Sequence, residues 1–148
     1  VIVELQDSEA TEASGAHLWP LLPEKCIIYL QGQLGAGKTT FVRGLLRAAG
    51  YQGVVKSPTY TVVEEYVTGD RTLFHFDLYR IKDPEELIWM GIEDYLAQEA
   101  VCLFEWPEMG QGILPEADLM IRLDLLGQGR SLQMEWRDEV IKNNSKLI

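Results

Sequence analysis

The chain has 148 residues, with 13 lysines and arginines against 23 aspartates and glutamates, a formal charge of −10. This length suits one domain with a real core, and the acidic balance disfavours a surface that tracks nucleic-acid phosphates, which needs basic residues. No stretch reaches the about 18 apolar residues that a membrane span requires, and the opening "VIVELQDSEA" lacks the charged start and apolar middle of a signal peptide. A cytoplasmic location is expected. Cys26 and Cys102 lie in apolar runs far apart in sequence, which fits two buried, reduced thiols rather than a disulfide framework.

The pattern along the chain predicts a single α/β domain over 1–148. "VIVEL" (1–5) reads as a strand, followed by a helix over "DSEATEASGAHLWPLL" that Asp7 or Ser8 can cap and that ends near Pro20. "CIIYL" (26–30) is continuously apolar, as a central parallel strand covered on both faces should be. It runs into "GQLGAGKTTF" (32–41). Beyond that loop, Phe41, Val42, Leu45, Leu46, Ala48 and Ala49 share one helical face opposite Arg43 and Arg47, with Gly50 as the stop.

"YTVVEEYVTGDRTLFHFDLY" holds two alternating segments around Thr68-Gly69-Asp70 and predicts an antiparallel hairpin. Its second arm puts His75, Asp77 and Tyr79 on one face. "DPEELIWMG" has Asp83 as N-cap, Pro84 at the first helical position, Glu86 three residues after the cap and Gly91 as terminator. "AVCLFEW" is a second buried strand. "DLMIRLDL" and "RSLQMEW" alternate around Gly127-Gln128-Gly129 as a terminal antiparallel pair, and the tail from Asp138 is expected to fray. Trp19, Trp89 and Trp136 are expected in the core or at an interface.

The chemistry centres on Gly32-x-x-x-x-Gly37-Lys38-Thr39, which stands between a strand and a helix as a phosphate-binding loop requires. Gly32, Gly35 and Gly37 let successive N–H groups approach phosphate oxygens, and the helix N-terminus adds positive potential. Lys38 supplies a cation for the β- and γ-phosphates, Thr39 a hydroxyl for Mg²⁺, and Thr40 a bond to the α-phosphate. Two acids end candidate neighbouring strands. Glu105 is assigned to the metal because "VCLF" describes a fully buried strand, and Asp77 to positioning or deprotonating water, with the two roles exchangeable. "KSPTY" offers Ser57, Thr59 and Tyr60 in a loop that is either a turn into the hairpin or a γ-phosphate-sensing switch. His75 reads as a structural hydrogen-bonding group rather than a base, and Trp106 either borders the nucleotide or packs.

Together, "GQLGAGKTTF", "KSPTYTVVEEY", "FHFDLYRIKDPEELIWMGIEDYL", "LFEW" and "GILPEADLMI" resemble the TsaE family of small bacterial P-loop ATPases, over about Ser8 to Leu125. The resemblance implies a P-loop NTPase-like three-layer sandwich with a central mixed, largely parallel sheet and antiparallel hairpins. It implies ATP hydrolysis that is slow in the isolated protein and that, on binding two proteins, TsaB and the metal-dependent TsaD, supports repeated cycles of threonylcarbamoyladenosine formation at position 37 of tRNAs that read codons beginning with A; tRNA is reached only through that complex. By the same resemblance the loop residues Gly32, Leu34, Gly35, Ala36, Gly37, Lys38, Thr39 and Thr40 hold ATP, Thr39 and Glu105 hold Mg²⁺, and Asp77 is required for hydrolysis. Thr59 belongs to the switch-like loop, and Thr11 of "SEAT" is a candidate contact beside the adenine. Nothing functional carries over beyond Gly129. The competing reading is a small-molecule P-loop kinase, which needs an arginine-rich lid; only Arg80 in "DLYR" suggests one. A GTPase lacks its Asn/Thr-Lys-x-Asp segment here.

Overall fold

The computed structural model describes residues 2–147. Its order is β1 (Ile2–Leu5), α1 (Ser8–Leu18), β2 (Cys26–Gln31), α2 (Lys38–Ala48), β3 (Val63–Thr68), β4 (Arg71–Asp77), α3 (Glu85–Trp89), α4 (Ile92–Ala97), β5 (Val101–Glu105), β6 (Leu119–Leu126), β7 (Gly129–Trp136) and α5 (Asp138–Lys142). All seven strands form one sheet in the order β1-β7-β6-β2-β5-β4-β3. The inner four, β6, β2, β5 and β4, run parallel, while β7, β1 and β3 flank them in antiparallel pairings.

Alternation along the inner strands builds two cores. Ile28, Leu30, Val101 and Leu103 face α1 and α2 on one side, and Ile27, Cys102 and Phe104 join Phe74, Phe76, Leu87 and Ile92 on the other. The result is the three-layer α/β sandwich expected. On the second face Phe76 stacks on Phe104 with centroids 4.5 Å apart. Both cysteines are free and buried, and burial pushes each thiol up to about 12. No described helix is long and apolar enough to cross a membrane.

Helix α1 starts as predicted, with the Asp7 carboxylate accepting from the Ala10 N–H at 2.9 Å. It lies tightly on α2 because glycines face the contact: a Cβ at Gly15 would stand 2.2 Å from the Phe41 carbonyl, and one at Gly44 1.9 Å from that of Glu12. Backbone cannot yield as a side chain end can, so Gly44→Ala is expected to lower the unfolding free energy by about 3 kcal/mol, at the upper end of ordinary overpacking. Urea unfolding checks this; a loss within about 0.5 kcal/mol, the range of an innocuous surface change, would mean that the helices are not in this contact.

Several expectations need correction. The second hairpin arm is more than a hairpin arm: β4 also pairs parallel with β5, and Leu73 to Asp77 are all buried. The antiparallel pair β6–β7 forms as expected, and it is built into the sheet, with β6 parallel to β2 and β7 covered at its other edge by β1. Around Asp83 the capping box forms, Glu86 accepting from the Asp83 N–H at 2.8 Å and Asp83 from the Glu85 N–H at 3.0 Å. Gly91, at φ 84°, ends α3 but also begins the unforeseen α4. Ala48 is exposed. Trp19 is in the core and Trp136 packs against it, as expected, while Trp89 is 75% exposed, which leaves an interface as the place expected for it. The tail carries the short helix α5.

Candidate functional site

The parallel strands end together at one edge of the sheet, and register decides what meets there. Leu30, the penultimate residue of β2, is paired with Glu105, and Glu105 with Asp77. The glycine-rich loop leaves β2 beside the first acid, with the second acid one strand further out. Gly35 and Gly37 adopt φ 83° and 99°, the left-handed region that glycine alone enters freely. A cavity of about 810 Å³ opens between the loop and the strand ends, lined among others by Lys38, Thr39, Thr40, Asp77, Glu105 and Trp106.

Lys38 spans the mouth of the loop. Its Nζ donates to the Gly32 carbonyl at 2.7 Å and pairs with Glu105 Oε1 at 3.2 Å. The other Glu105 oxygen accepts from His75 Nε2 at 2.6 Å. An ionised carboxylate can only accept, so the proton of that bond sits on Nε2; Nδ1 has no partner among the described residues. Burial of the Glu105 carboxyl opposes its ionisation, but the hydrogen bond and charge of His75 and then the Lys38 ammonium outweigh it and hold the group below the ordinary carboxylate value. His75 is therefore the structural hydrogen-bonding group expected, and it aims Glu105 at the loop.

Asp77 is held differently. Its Oδ2 accepts from the Thr59 hydroxyl at 3.1 Å and its Oδ1 from the Tyr79 N–H at 2.9 Å, while Ser57 and Thr59 share a hydrogen bond of 2.8 Å. The "SPTY" loop is thus latched to the strand-end acid. Among the described residues two non-glycines sit at positive φ, Val62 at 70° where that loop enters β3 and Trp106 at 56° directly after Glu105. Such strain persists where surroundings over-determine it. At Trp106 the turn lays the ring over Lys38, 5.3 Å from Nζ to centroid, and against Tyr79 at 5.1 Å, so this residue both borders the cavity and packs.

The remaining sequence candidates divide. Leu34, Gly35, Gly37 and Thr59 line the main cavity, whereas Ala36 is buried behind the loop and Gly32 lines a side cavity with Gln31, Lys38 and Arg122. Thr11 lies in a separate cavity of about 100 Å³ that it shares with Thr40, Gly37 and Arg130, and its hydroxyl donates to the Asp7 carbonyl. The burial argument that favoured Glu105 over Asp77 falls away, because both acids are buried at the ends of parallel strands. Beyond Gly129, where the resemblance carried no residue over, Arg130 lines the main cavity. Its sequence signal is one charged residue in an alternating strand, which gives no cue.

A cavity floored by a glycine loop and closed by a lysine suits a chain of phosphates, and the sandwich that presents it is that of the α/β nucleotide-binding proteins. Comparison with known proteins narrows the class. Residues 5–138 match the family described as threonylcarbamoyl adenosine biosynthesis protein TsaE, and the chain belongs to that family. It is 52% identical over 127 residues to the tRNA threonylcarbamoyladenosine biosynthesis protein TsaE of Haemophilus influenzae, covering 85% of this chain and 80% of that one. The Treponema pallidum protein of the same name is 36% identical over 124 residues, covering 84% and 91%. A crystal structure of Bacillus subtilis YdiB superposes with a TM-score of 0.80 at 26% identity, over 99% of this chain and 95% of that one.

Proposed function

We propose that this chain binds ATP with Mg²⁺ in the main cavity, hydrolyses it, and acts with TsaB and TsaD in forming threonylcarbamoyladenosine on tRNA. The observation that carries the reading is the convergence of Lys38, Thr39, Glu105 and Asp77 on one cavity beside the glycine loop. The donors fit the metal. Mg²⁺ is commonly held by one or two protein oxygens together with substrate phosphates and water, and the described residues contain no group of three His, Cys, Asp or Glu side chains that would form an all-protein cage. Thr39 and Glu105 would hold the ion, which when bound supplies positive charge to the phosphate oxygens.

The protein's own part is positioning. Lys38 leaves Gly32 and Glu105 to meet the phosphates, which exchanges a neutral carbonyl and one carboxylate for a polyanion. Asp77, fixed by Thr59 and Tyr79, presents a carboxylate that can orient or accept a proton from the attacking water. Because Thr59 makes one of those bonds, movement of its loop changes the aim of Asp77. The acidic surface is consistent with reaching tRNA through partners rather than directly.

Asp77→Asn is expected to keep ATP affinity and lower single-turnover hydrolysis by about 10²–10⁴, the usual contribution of a positioned acid–base group. Normal phosphate release would move the water-handling role elsewhere. The function as a whole is tested by reconstitution with TsaB, TsaD and tRNA, scoring ATP consumed and repeated modification together. Modification that cycles equally well without this chain would overturn it.

A further inference from the structure

Arg130, the second residue of β7, is anchored between Leu5 of β1 and Leu125 of β6. All three guanidinium nitrogens donate to main-chain carbonyls: Nε to Ala36 at 3.0 Å, Nη2 to Gly35 at 2.9 Å, and Nη1 to Gly129 at 2.8 Å with a longer reach to Gln128 at 3.5 Å. No carboxylate pairs with it among the described residues. Its charge therefore stands uncompensated by an ion pair on the wall of the main cavity.

The acceptors matter because of what a phosphate loop must do. It has to turn N–H groups toward the ligand, and in a planar trans peptide the N–H points opposite to the C=O. Holding the Ala36 carbonyl on Arg130 therefore fixes the N–H of Gly37, a residue that lines the cavity, to the side away from the guanidinium. Main-chain bonds hold the loop's flanks, Ala36 N–H to the Gln33 carbonyl at 3.0 Å and Phe41 N–H to the Gly37 carbonyl at 2.9 Å, and the Ala36 side chain is buried, but none of these engages the Gly35 and Ala36 carbonyls. Leu34 at its tip is 96% exposed, and a Cβ at Gly35 would meet nothing within 4 Å. Apart from Arg130, the side chain donating to this loop's carbonyls among the described residues is Lys38, to Gly32, and Lys38 must let go when phosphates arrive.

We propose that Arg130 is a positioning residue for nucleotide binding: its planar fork braces the Gly35 and Ala36 carbonyls from the β6–β7 hairpin, so that the loop amides are oriented before the polyphosphate enters. The inference rests on the nucleotide-binding reading of the cavity. A fork is needed rather than a charge, since one guanidinium satisfies two adjacent carbonyls at once and a single ammonium does so poorly. Pre-orientation acts on binding, and Arg130 touches no acid of the catalytic pair, so its loss should appear in KM and far less in kcat.

The test titrates parent, Arg130→Ala and Arg130→Lys with a fluorescent ATP analogue, and measures kcat and KM for ATP with TsaB and TsaD present. Thermal midpoints without nucleotide are measured alongside. Both variants are expected to bind about 10- to 100-fold more weakly, as losing one or two charge-assisted hydrogen bonds implies, with the change carried by KM. Arg130→Lys at parental affinity would overturn the bracing role in favour of charge alone. A fall confined to kcat would overturn it in favour of contact with the transferring phosphate, and parental behaviour of Arg130→Ala would remove Arg130 altogether. A parent that takes up no analogue defeats the nucleotide reading itself, a result distinct from any of these. Should the alanine variant unfold, the lysine variant alone decides.

Discussion

Lys38→Ala is expected to weaken ATP binding by about 10²–10⁴-fold in calorimetric titration, the loss implied when two hydrogen bonds to charged phosphate oxygens disappear at about 1.5–3 kcal/mol each. The geometry explains why the nucleotide-free protein suffers too. Lys38 and Glu105 side chains are only 11% and 4% exposed, so the substitution leaves a buried carboxylate with one partner, His75, in place of two. Removing one member of a buried pair can cost about 3–5 kcal/mol, and the remaining hydrogen bond from His75 reduces this to about 1–3 kcal/mol. The sign of the pH effect follows. Glu105 is held below its ordinary value of 4.5, so its ionisation stabilises the fold above that pH and ceases to do so as the pH falls through the depressed value. Without Lys38 the depression shrinks, and with it that contribution. Unchanged ATP affinity in Lys38→Ala would count against the whole assignment of the loop.

Glu105→Ala is expected to abolish the proposed magnesium response and to lower turnover by about 10²–10³, the scale of removing one preorganised charge-stabilising group. The carboxylate sits between the loop lysine and His75 with its two oxygens divided between them, so its removal leaves Lys38 without its acid and, on the proposed reading, would deprive Mg²⁺ of an oxygen. Glu105→Gln serves as the companion variant: it retains an acceptor for His75, and it isolates the charge from the packing. Magnesium titrations of nucleotide affinity and of turnover are the measurement. Curves matching the parent would take Glu105 out of the metal's coordination, and a flattened curve in Asp77→Asn instead would exchange the two roles. That exchange is physically open because the two acids are register neighbours on adjacent parallel strands.

Much of this site is written locally. The strand, glycine loop and helix follow one another within about twenty residues of "CIIYLQGQLGAGKTTFVRG", and the forces that shape them, apolar burial, glycine's φ range and helix periodicity, act over a few residues. The same holds for the cap at Asp7 and the box around Asp83. Elements whose pattern is short or shared were hidden. Helix α4 covers fewer than two turns behind a glycine that reads as a stop, and β4 alternates like a hairpin arm although both its faces are covered.

Sequence by itself determined the loop, the α/β alternation, the two strand-end acids and the family resemblance, because each is a contiguous pattern. Only the tertiary structure decided that Glu105 lies between His75 and Lys38, that Asp77 is latched to Thr59, and that Arg130 reaches back 94 residues to the Ala36 carbonyl. These pairings depend on strand order and register, which one residue of slip would turn to the opposite face of the sheet. Register is fixed by the packing of the whole sheet against its two helical layers, and no window of neighbouring residues contains that information.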